Sequence, residues 1–211
     1  QSGGASSRTA ELPSGLMLDT GVRVVETEKL HSQGSISQTE NPLDIAISGN
    51  GFFQILLPDG ATAYTRDGAF QRNSQGQIVT ANGFQIQPAI TVPADTQTLS
   101  IAQDGTVSAL ISGSTSPTQI GTIQIADFVN PTGLQAIGDN LFKETASSGT
   151  AQPGTPGLTG LGLLIQGALE SSNVNVVEEL VNMIETQRAY EMNAKAIETT
   201  DQMLQYASNT L

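Results

Sequence analysis

The C-terminal stretch constrains the fold of this chain most strongly, because it contains no helix-breaking residue. The chain carries 22 Gly and 9 Pro, yet neither residue occurs between Ala168 and Leu211. Gly and Pro both disfavour helix interiors, so the sequence predicts one long helix here. Asn175, followed three positions later by Glu178, matches the pattern of a capped helix start. We therefore expect the helix to begin just after Asn175.

The predicted helix carries an apolar stripe with a seven-residue repeat. Residues at this spacing lie on one helix face, as they do in helix bundles and coiled coils. A second line of residues runs beside the first at the same spacing, but the polar residues Gln187 and Asp201 interrupt it. This favours several neighbouring helices over one symmetrical partner. The stripe could cover the chain's own core or contact another subunit. Its candidate interface residues are Val176, Leu180, Met183, Tyr190, Ile197 and Leu204.

Between residues 43 and 145 the sequence alternates short strand-like runs with turn residues. Breaks such as Asp59-Gly60 and Asn82-Gly83 each supply a residue that tolerates a positive φ. Short runs between such breaks are typical of consecutive β-hairpins. The sequence thus predicts a mainly β fold, with an antiparallel β domain of consecutive hairpins, an extended N-terminal arm and a long C-terminal α-helix.

These patterns divide the chain into four predicted segments. They are an extended arm and linker segment at 1–42, the β domain at 43–145, a Gly/Pro-rich return linker at 146–171 and an axial helix at 172–211. Within the arm, Gly21–Leu30 suits a strand because of its β-branched residues. A helix that follows a flexible linker can leave the β domain, so we favour an external partner for the stripe.

Composition excludes several classes of function. Eight Lys and Arg against 20 Asp and Glu give a formal net charge of −12, whereas nucleic-acid binding needs clustered basic residues. The absence of Cys excludes disulfides and thiolate chemistry. His31 is the only histidine, so a Ser-His-Asp relay or an imidazole metal cluster is not supported, and we expect a solvated loop residue. We predict no catalytic residue, metal, cofactor or small-molecule substrate.

Two stretches of the chain resemble the bacterial flagellar rod and hook proteins. The first is LDIAISGNGFFQILLPDGATAYTRDGAFQRNSQGQIVTANGFQI, which includes Phe52-Phe53, Pro58-Asp59-Gly60, Tyr64-Thr65-Arg66 and Gly68. The second is GLLIQGALESSNVNVVEELVNMIETQRAYEMNAKAI, which includes Gln166-Gly167, Glu170, Ser172-Asn173-Val174-Asn175 and Gln187-Arg188-Ala189-Tyr190-Glu191. Both stretches follow the order found in the family, and neither is a short motif.

Within this family, the stretch LPSGLMLDTGVRVVETEKLHSQGSISQTENPLDIAI is most similar to subunits of the distal rod. The resemblance implies a structural, non-enzymatic subunit that transmits torque from motor to hook within a rigid helical tube. It also implies that the arm, through Leu16, Leu18 and Val22, braces neighbouring subunits. A proximal rod or hook subunit is the alternative within the family. A cell-wall-active enzyme or an adhesin-type binding module is the alternative from another class.

The resemblance also implies partners and a location. The partners are further copies in a helical rod, other rod proteins, the hook protein and the surrounding ring proteins. The location is the flagellar basal body, from the periplasmic space to the outer membrane, reached without a cleaved signal peptide. Members of the family begin with an N-terminal helix that pairs with the C-terminal one. This sequence opens without such a helix, so we expect the chain as given to associate weakly.

Overall fold

The computed structural model describes residues 5–7, 10–11 and 29–209 of the chain. The chain divides into two compact units, residues 1–30 and 31–211. In the first unit, β1 (Ala5–Ser7) pairs with β2 (Ala10–Glu11) in antiparallel register.

Several predictions for the arm fall outside the described residues. These concern Leu16, Leu18 and Val22, together with all but the last two residues of the strand predicted at Gly21–Leu30. Lys29 and Leu30, which the structure describes, lie in no strand or helix. The predictions made for the arm therefore stay predictions.

The second unit contains sixteen short strands, one 3₁₀ turn and one long helix. The first eight of these strands are β3 (Ile36–Gln38), β4 (Ile45–Ser48), β5 (Phe52–Leu56), β6 (Thr62–Thr65), β7 (Phe70–Arg72), β8 (Ile78–Thr80), β9 (Gln85–Gln87) and β10 (Thr96–Ile101). The later strands are β11 (Thr106–Ile111), β12 (Thr118–Thr122), β13 (Ile125–Asp127), β14 (Gln135–Gly138), β15 (Leu141–Lys143), β16 (Gln152–Gly154), β17 (Leu163–Gln166) and β18 (Ala168–Glu170). The 3₁₀ turn spans Pro131–Gly133, and the helix, α1, spans Val176–Asn209.

The ladders between these strands are antiparallel, which confirms the predicted fold class. The largest sheet has nine strands, in the order β14-β15-β6-β5-β9-β8-β7, with β13 and β16 branching from β5. A second sheet has the order β10-β11-β12, and β17-β4 and β18-β3 form two separate pairs. The mainly β architecture ends at α1.

Turns of the predicted chemistry connect the hairpins. Between β5 and β6, Gly60 has a φ of +81° and donates its N–H to the carbonyl of Leu57 at 3.0 Å. Asp59 supports the same turn, because its Oδ1 accepts the N–H of Ala61 at 2.9 Å. An Asp side chain that bonds to the backbone two residues on, followed by a Gly with positive φ, stabilises a tight reversal. This is the structural role of the Asp-Gly pair.

The paired aromatic residues of β5 fill two separate hydrophobic clusters. Phe53 is fully buried in the main cluster and meets Phe70 edge to face, with ring centroids 5.1 Å apart. Phe52 packs in a second cluster, where its ring centroid lies 5.8 Å from that of Phe128. Consecutive side chains of a strand point to opposite faces, so one dipeptide serves both clusters. The buried residues of the second cluster are Phe52, Tyr64, Ala126, Phe128 and Leu134.

His31 lies in a loop, as predicted, but it is not fully solvated. Its ring is half-buried and lies edge to face with Phe52 and Phe142, at centroid distances of 5.7 and 5.2 Å. The expectation of a solvated residue was wrong because the loop passes over the second cluster. A flat ring beside aromatic edges is a favourable packing arrangement.

The segment predicted as a return linker carries three strands. β16 pairs with β13, β17 pairs with β4, and β18 pairs with β3. The spacer character inferred from Gly and Pro is therefore corrected, since residues 152–154, 163–166 and 168–170 are held by backbone hydrogen bonds to distant strands. The boundaries of the four predicted segments stay predictions.

Candidate assembly surface

Five of the six predicted interface residues of α1 lie exposed along one helix face. Val176, Leu180, Met183, Tyr190 and Ile197 are between 52% and 76% exposed. Their spacing of three, four and seven residues places them on one side of a helix with 3.6 residues per turn. Leu204 belongs to the same helix and the same repeat. We call this face, from Val176 to Leu204, the α1 stripe.

Further apolar residues widen the first turns of the α1 stripe. Val177, Val181 and Ile184 are between 48% and 70% exposed. Large apolar patches on monomeric proteins are uncommon and often mark sites of association. Among the described residues, no helix combines the length and the apolar character that a membrane span requires. Its exposed apolar residues give the α1 stripe the character of a surface for protein contacts.

Asn175 caps the start of α1, as the sequence predicts. Its Oδ1 accepts the N–H of Val177 at 3.2 Å, and its carbonyl accepts the N–H of Glu179 at 3.0 Å. Glu178 and Glu179 place negative charge in the first turn. The first turn of a helix has unpaired N–H groups and a positive dipole end, so a capping side chain and nearby carboxylates both stabilise it.

A partly buried ion pair lies where the chain leaves the strands for α1. Arg66 follows β6, and Glu170 ends β18. Nε and Nη2 of Arg66 donate to Oε2 of Glu170 at 2.9 and 2.7 Å. The second carboxylate oxygen, Oε1, accepts the backbone N–H of Gly34 at 2.8 Å. The side chains of Arg66 and Glu170 are 21% and 12% exposed, so this pair is largely shielded from water.

The guanidinium of Arg66 also binds three backbone carbonyls. Nη1 donates to the carbonyls of Gly49 and Gly51 at 2.8 and 2.9 Å, and Nη2 donates to that of Ile47 at 3.3 Å. A shielded charge is tolerated only when its hydrogen-bonding capacity is used, and here it is. We call this group the Arg66 cluster, and its members are Arg66, Glu170, Gly34 and the carbonyls of Ile47, Gly49 and Gly51.

In the sequence, Arg66 and Glu170 belong to two separate motifs, and no local pattern links them. The sequence does not predict their pairing, because 104 positions separate them. One signal was available: Arg66 is one of only eight basic residues and follows a strand-like run without a nearby acidic partner at helical spacing. Such a cation is a candidate for a long-range ion pair.

Two titratable groups outside the Arg66 cluster have shifted pKa values. Burial, and secondly the charge of Glu144, raise the pKa of the Tyr64 phenol. The backbone N–H of Thr106, which donates to Asp104 Oδ1 at 3.0 Å, lowers the pKa of that carboxyl. Nowhere in the described ranges do three or more side chains of metal-binding type come together. Both shifts have local structural causes, so they do not indicate catalysis.

A shallow groove of about 390 Å³ lies where β9 and β13 both approach β5. Its lining is uncharged. Gln54 and Gln87, which are cross-strand partners, and Gln85 and Gln124 contribute amide groups, and Leu56 and Pro88 contribute apolar surface. Without a titratable group or an aromatic ring in its lining, the groove lacks the chemistry of a catalytic cleft.

Two protein-family models match the chain. The model described as "Flagellar hook protein FlgE/F/G D1 domain" matches residues 46–109, which include β5 to β10 and most of β4 and β11. The model described as "Flagellar basal body rod FlgEFG protein C-terminal" matches residues 165–210, which include β18 and α1. The two matches therefore contain the two residues of the ion pair, Arg66 in the first and Glu170 in the second.

Curated relatives are similar over nearly the whole chain. The flagellar basal-body rod protein FlgG of Buchnera aphidicola subsp. Acyrthosiphon pisum is 53% identical over 208 residues, which cover 99% of this chain and 80% of the relative. FlgG of Caulobacter vibrioides is 48% identical, over 93% of this chain and 75% of the relative. FlgG of Bacillus subtilis is 40% identical, over 86% of this chain and 70% of the relative. With this identity and coverage, the chain belongs to the FlgG family of flagellar basal-body rod proteins.

Proposed function

We propose that this chain is a structural subunit of the flagellar distal rod, which transmits torque from the motor to the hook as part of a rigid helical tube. In this proposal the full-length protein associates with further copies of itself. It also contacts other rod proteins, the hook protein and the surrounding ring proteins. Membership of a family named for the basal-body rod supports a place in the rod. The distal position, the torque and the named partners follow from the resemblance described above.

The observation that carries the proposal is the exposure of the α1 stripe. Each large apolar side chain contributes about 1.5–3 kcal/mol when it becomes fully buried. Met183 and Ile197 are 55% and 65% exposed, so much of that stabilisation is still available to an association. A long helix with such a stripe suits a layer of axial helices in which each helix packs on several neighbours.

A second observation supports a stiff subunit. Hydrogen-bonded ladders join segments that are distant in sequence, such as β17 with β4 and β18 with β3. These ladders hold the chain next to α1 against strands that begin near residue 36. Deforming such a network requires several hydrogen bonds to break together, which suits a component that carries mechanical load.

We infer a structural and not an enzymatic role from the family, whose members are named as rod proteins. We further propose that the full-length protein lies between the periplasmic space and the outer membrane, and is exported without a cleaved signal peptide. Leu16, Leu18 and Val22 stay candidates for contacts that brace neighbouring subunits.

The test replaces one residue of the α1 stripe in the full-length protein and follows rod assembly in cells. Ile197→Asp places a charge in the proposed interface and should abolish rod formation and swimming. Thr199→Asp is the matched control, because it introduces the same residue two positions on, roughly on the opposite helix face. Normal rods in Ile197→Asp, or equal loss of rods in both variants, would contradict the proposed interface.

A further inference from the structure

The connection between β18 and α1 is short and lies against an earlier part of the chain. Residues 171–175 belong to no strand or helix. The N–H of Ser171 donates to the carbonyl of Ser35 at 2.8 Å, and Nδ2 of Asn173 donates to Ser32 Oγ at 2.9 Å. These bonds hold the connection along residues 32–35, immediately beside the Arg66 cluster.

Close backbone packing accompanies these bonds. A Cβ built on Gly34 would lie 1.8 Å from the carbonyl oxygen of Ser171, which no larger residue could accommodate without movement. Gly34 also donates its N–H to Glu170 at 2.8 Å. The absence of a side chain at Gly34 thus lets two backbone segments approach at the point where Arg66 holds Glu170.

From this arrangement we infer that the Arg66–Glu170 pair positions the start of α1 relative to the strands. Arg66 is attached to β6, and its guanidinium contacts the ends of β4 and β18 as well as the turn at Gly49 and Gly51. Glu170 is the last residue before the connection to α1. Arg66 is therefore a positioning residue, since it acts on α1 only through Glu170.

The consequence for torque rests on the proposed function, but the positioning does not. In a rod subunit, force that passes between the outer strands and the axial helix must cross residues 171–175. If only backbone hydrogen bonds held these residues, which belong to no strand or helix, the connection would bend readily. The Arg66 cluster joins Glu170, at one end of that segment, to Arg66 after β6. The same guanidinium binds Ile47 in β4 and the turn at Gly49 and Gly51, which makes the joint stiff.

The geometry requires arginine and not merely a positive charge. Three nitrogen atoms of Arg66 donate to four acceptor groups, namely the Glu170 carboxylate and three carbonyls. The planar guanidinium presents five N–H donors in a fixed fork, whereas a lysine ammonium is a point charge with three. Arg66→Lys should therefore keep the charge but release part of the joint.

Spin-label distances in the unassembled chain test this inference. Labels at Ser74→Cys and Val174→Cys report the position of the segment that leads into α1, and Ser74→Cys with Ser116→Cys reports the strands alone. The chain contains no other Cys to react, and all three positions are exposed. The first pair should give a narrow distance distribution that Arg66→Met broadens and Arg66→Lys broadens less. The second pair should be unchanged in both variants.

Two outcomes would overturn the inference. The first is an unchanged narrow distribution for the 74–174 pair in Arg66→Met. The second is equal broadening of both pairs, which would make Arg66 a residue of general stability. If Arg66→Met does not fold, Glu170→Gln decides by the same criteria, because it removes only the partner charge. The measurement needs no rod, so its result is independent of the Ile197→Asp test.

A separate observation concerns two Asn-Gly pairs that differ in backbone freedom. Asn82 and Gly83 are both exposed in the turn between β8 and β9, and a Cβ built on Gly83 meets nothing within 4 Å. At the other pair, Gly51 is buried, and a Cβ built there would lie 2.9 Å from Ile125. The carbonyl of Asn50 also accepts the N–H of Gly162 at 2.7 Å.

We propose that Asn82 is a site of spontaneous deamidation and that Asn50 is protected. The backbone nitrogen of Gly83 loses its proton and attacks Cγ of Asn82, and the side-chain nitrogen leaves as ammonia. Water then opens the five-membered imide at either carbonyl to give aspartate or isoaspartate. The Gly83 N–H donates to the carbonyl of Thr80 at 2.9 Å, so the turn must open first, and an exposed hairpin tip opens more readily than a packed turn.

Peptide mapping by mass spectrometry after incubation at mildly alkaline pH tests this proposal. The folded chain should convert Asn82 several-fold faster than Asn50, and the chain unfolded in urea should convert both at similar rates. Equal rates at the two sites in the folded chain, or conversion of Asn82 only after unfolding, would overturn it.

Discussion

Phe52 and Phe53 are consecutive residues of β5, yet each packs in a different hydrophobic cluster. Phe53 belongs to the main cluster with Phe70, whereas Phe52 belongs to the second cluster with Tyr64 and Phe128. β5 is central to the largest sheet, where β6 pairs with one edge and β9 and β13 share the other. The two clusters are therefore joined through the backbone of one strand.

Phe53→Ala should lower the free energy of unfolding by about 3–5 kcal/mol, because it leaves a cavity in a fully buried site. Phe52→Ala is the matched control, since it removes the same atoms one residue earlier from the smaller cluster. Urea denaturation measures the free energy of unfolding of both variants. In NMR spectra, Phe52→Ala should shift the ring signals of Tyr64 and Phe128 and leave those of Phe70 in place. Shifts at Phe70 as large as at Phe128 would contradict the separation of the clusters.

Asn175→Ala should reduce the stability of α1 by about 1 kcal/mol, because the N–H of Val177 loses its side-chain acceptor. Circular dichroism at the helix band during heating gives the measurement. Ser172→Ala provides the control, since Ser172 Oγ accepts the N–H of Val174, which lies before the helix. A loss of helix signal as large in Ser172→Ala as in Asn175→Ala would show that the cap is not specific.

Hydrogen exchange in the unassembled chain should be faster in α1 than in β5. Most of the stability of a helix in a protein comes from packing of its apolar face, and the exposed α1 stripe has no packed neighbour among the described residues. The amides of β5 are held between ladders on both edges. Protection between Met183 and Ile197 equal to that of β5 would mean that α1 does not depend on an external partner.

Alkaline pH should destabilise the second cluster through Tyr64. Burial and the charge of Glu144 raise the pKa of this phenol above 10.0, so the folded state favours the neutral ring. Its contribution is fully present below pH 10.0 and is lost as the pH rises through the folded pKa. Tyr64→Phe should lessen this loss in a series of unfolding measurements against pH. An identical alkaline decline in the wild type and Tyr64→Phe would contradict the assignment to Tyr64.

Local sequence chemistry predicted the elements better than their partners. The Asp59-Gly60 turn and the Asn175 cap depend on hydrogen bonds within a few residues, so residue type and spacing were sufficient to find them. The α1 stripe followed from periodicity for the same reason. In contrast, the ladder of β17 with β4 joins residues more than a hundred positions apart, and no local pattern encodes that choice.

The segment from residue 146 to 171 shows why composition alone misled. Its Gly and Pro residues indicate a flexible spacer when only local preferences are considered. Gly162, however, allows a close approach to β4, because a Cβ built there would lie 2.6 Å from the carbonyl oxygen of Ser48. Glycine in this position serves backbone packing and not flexibility, and only the tertiary contact distinguishes the two roles.

The candidate site divides in the same way. The sequence predicted the apolar stripe of α1, and the structure describes five of its residues as exposed side chains on one face. Their contact with a partner stays a prediction. The sequence did not predict the Arg66 cluster, whose two charged members come from different matched stretches and meet only after the chain has folded. Long-range ion pairs of this kind depend on topology, which residue spacing does not give.

A cryo-electron microscopy map of the basal body containing the full-length protein would show where α1 lies. We expect α1 in an inner helical layer, with Val176, Leu180, Met183, Tyr190 and Ile197 buried against helices of neighbouring subunits. We also expect the strands of residues 43–145 to lie outside this layer. A map in which the α1 stripe faces solvent, with the subunits joined through their strands alone, would rule out α1 as the assembly surface.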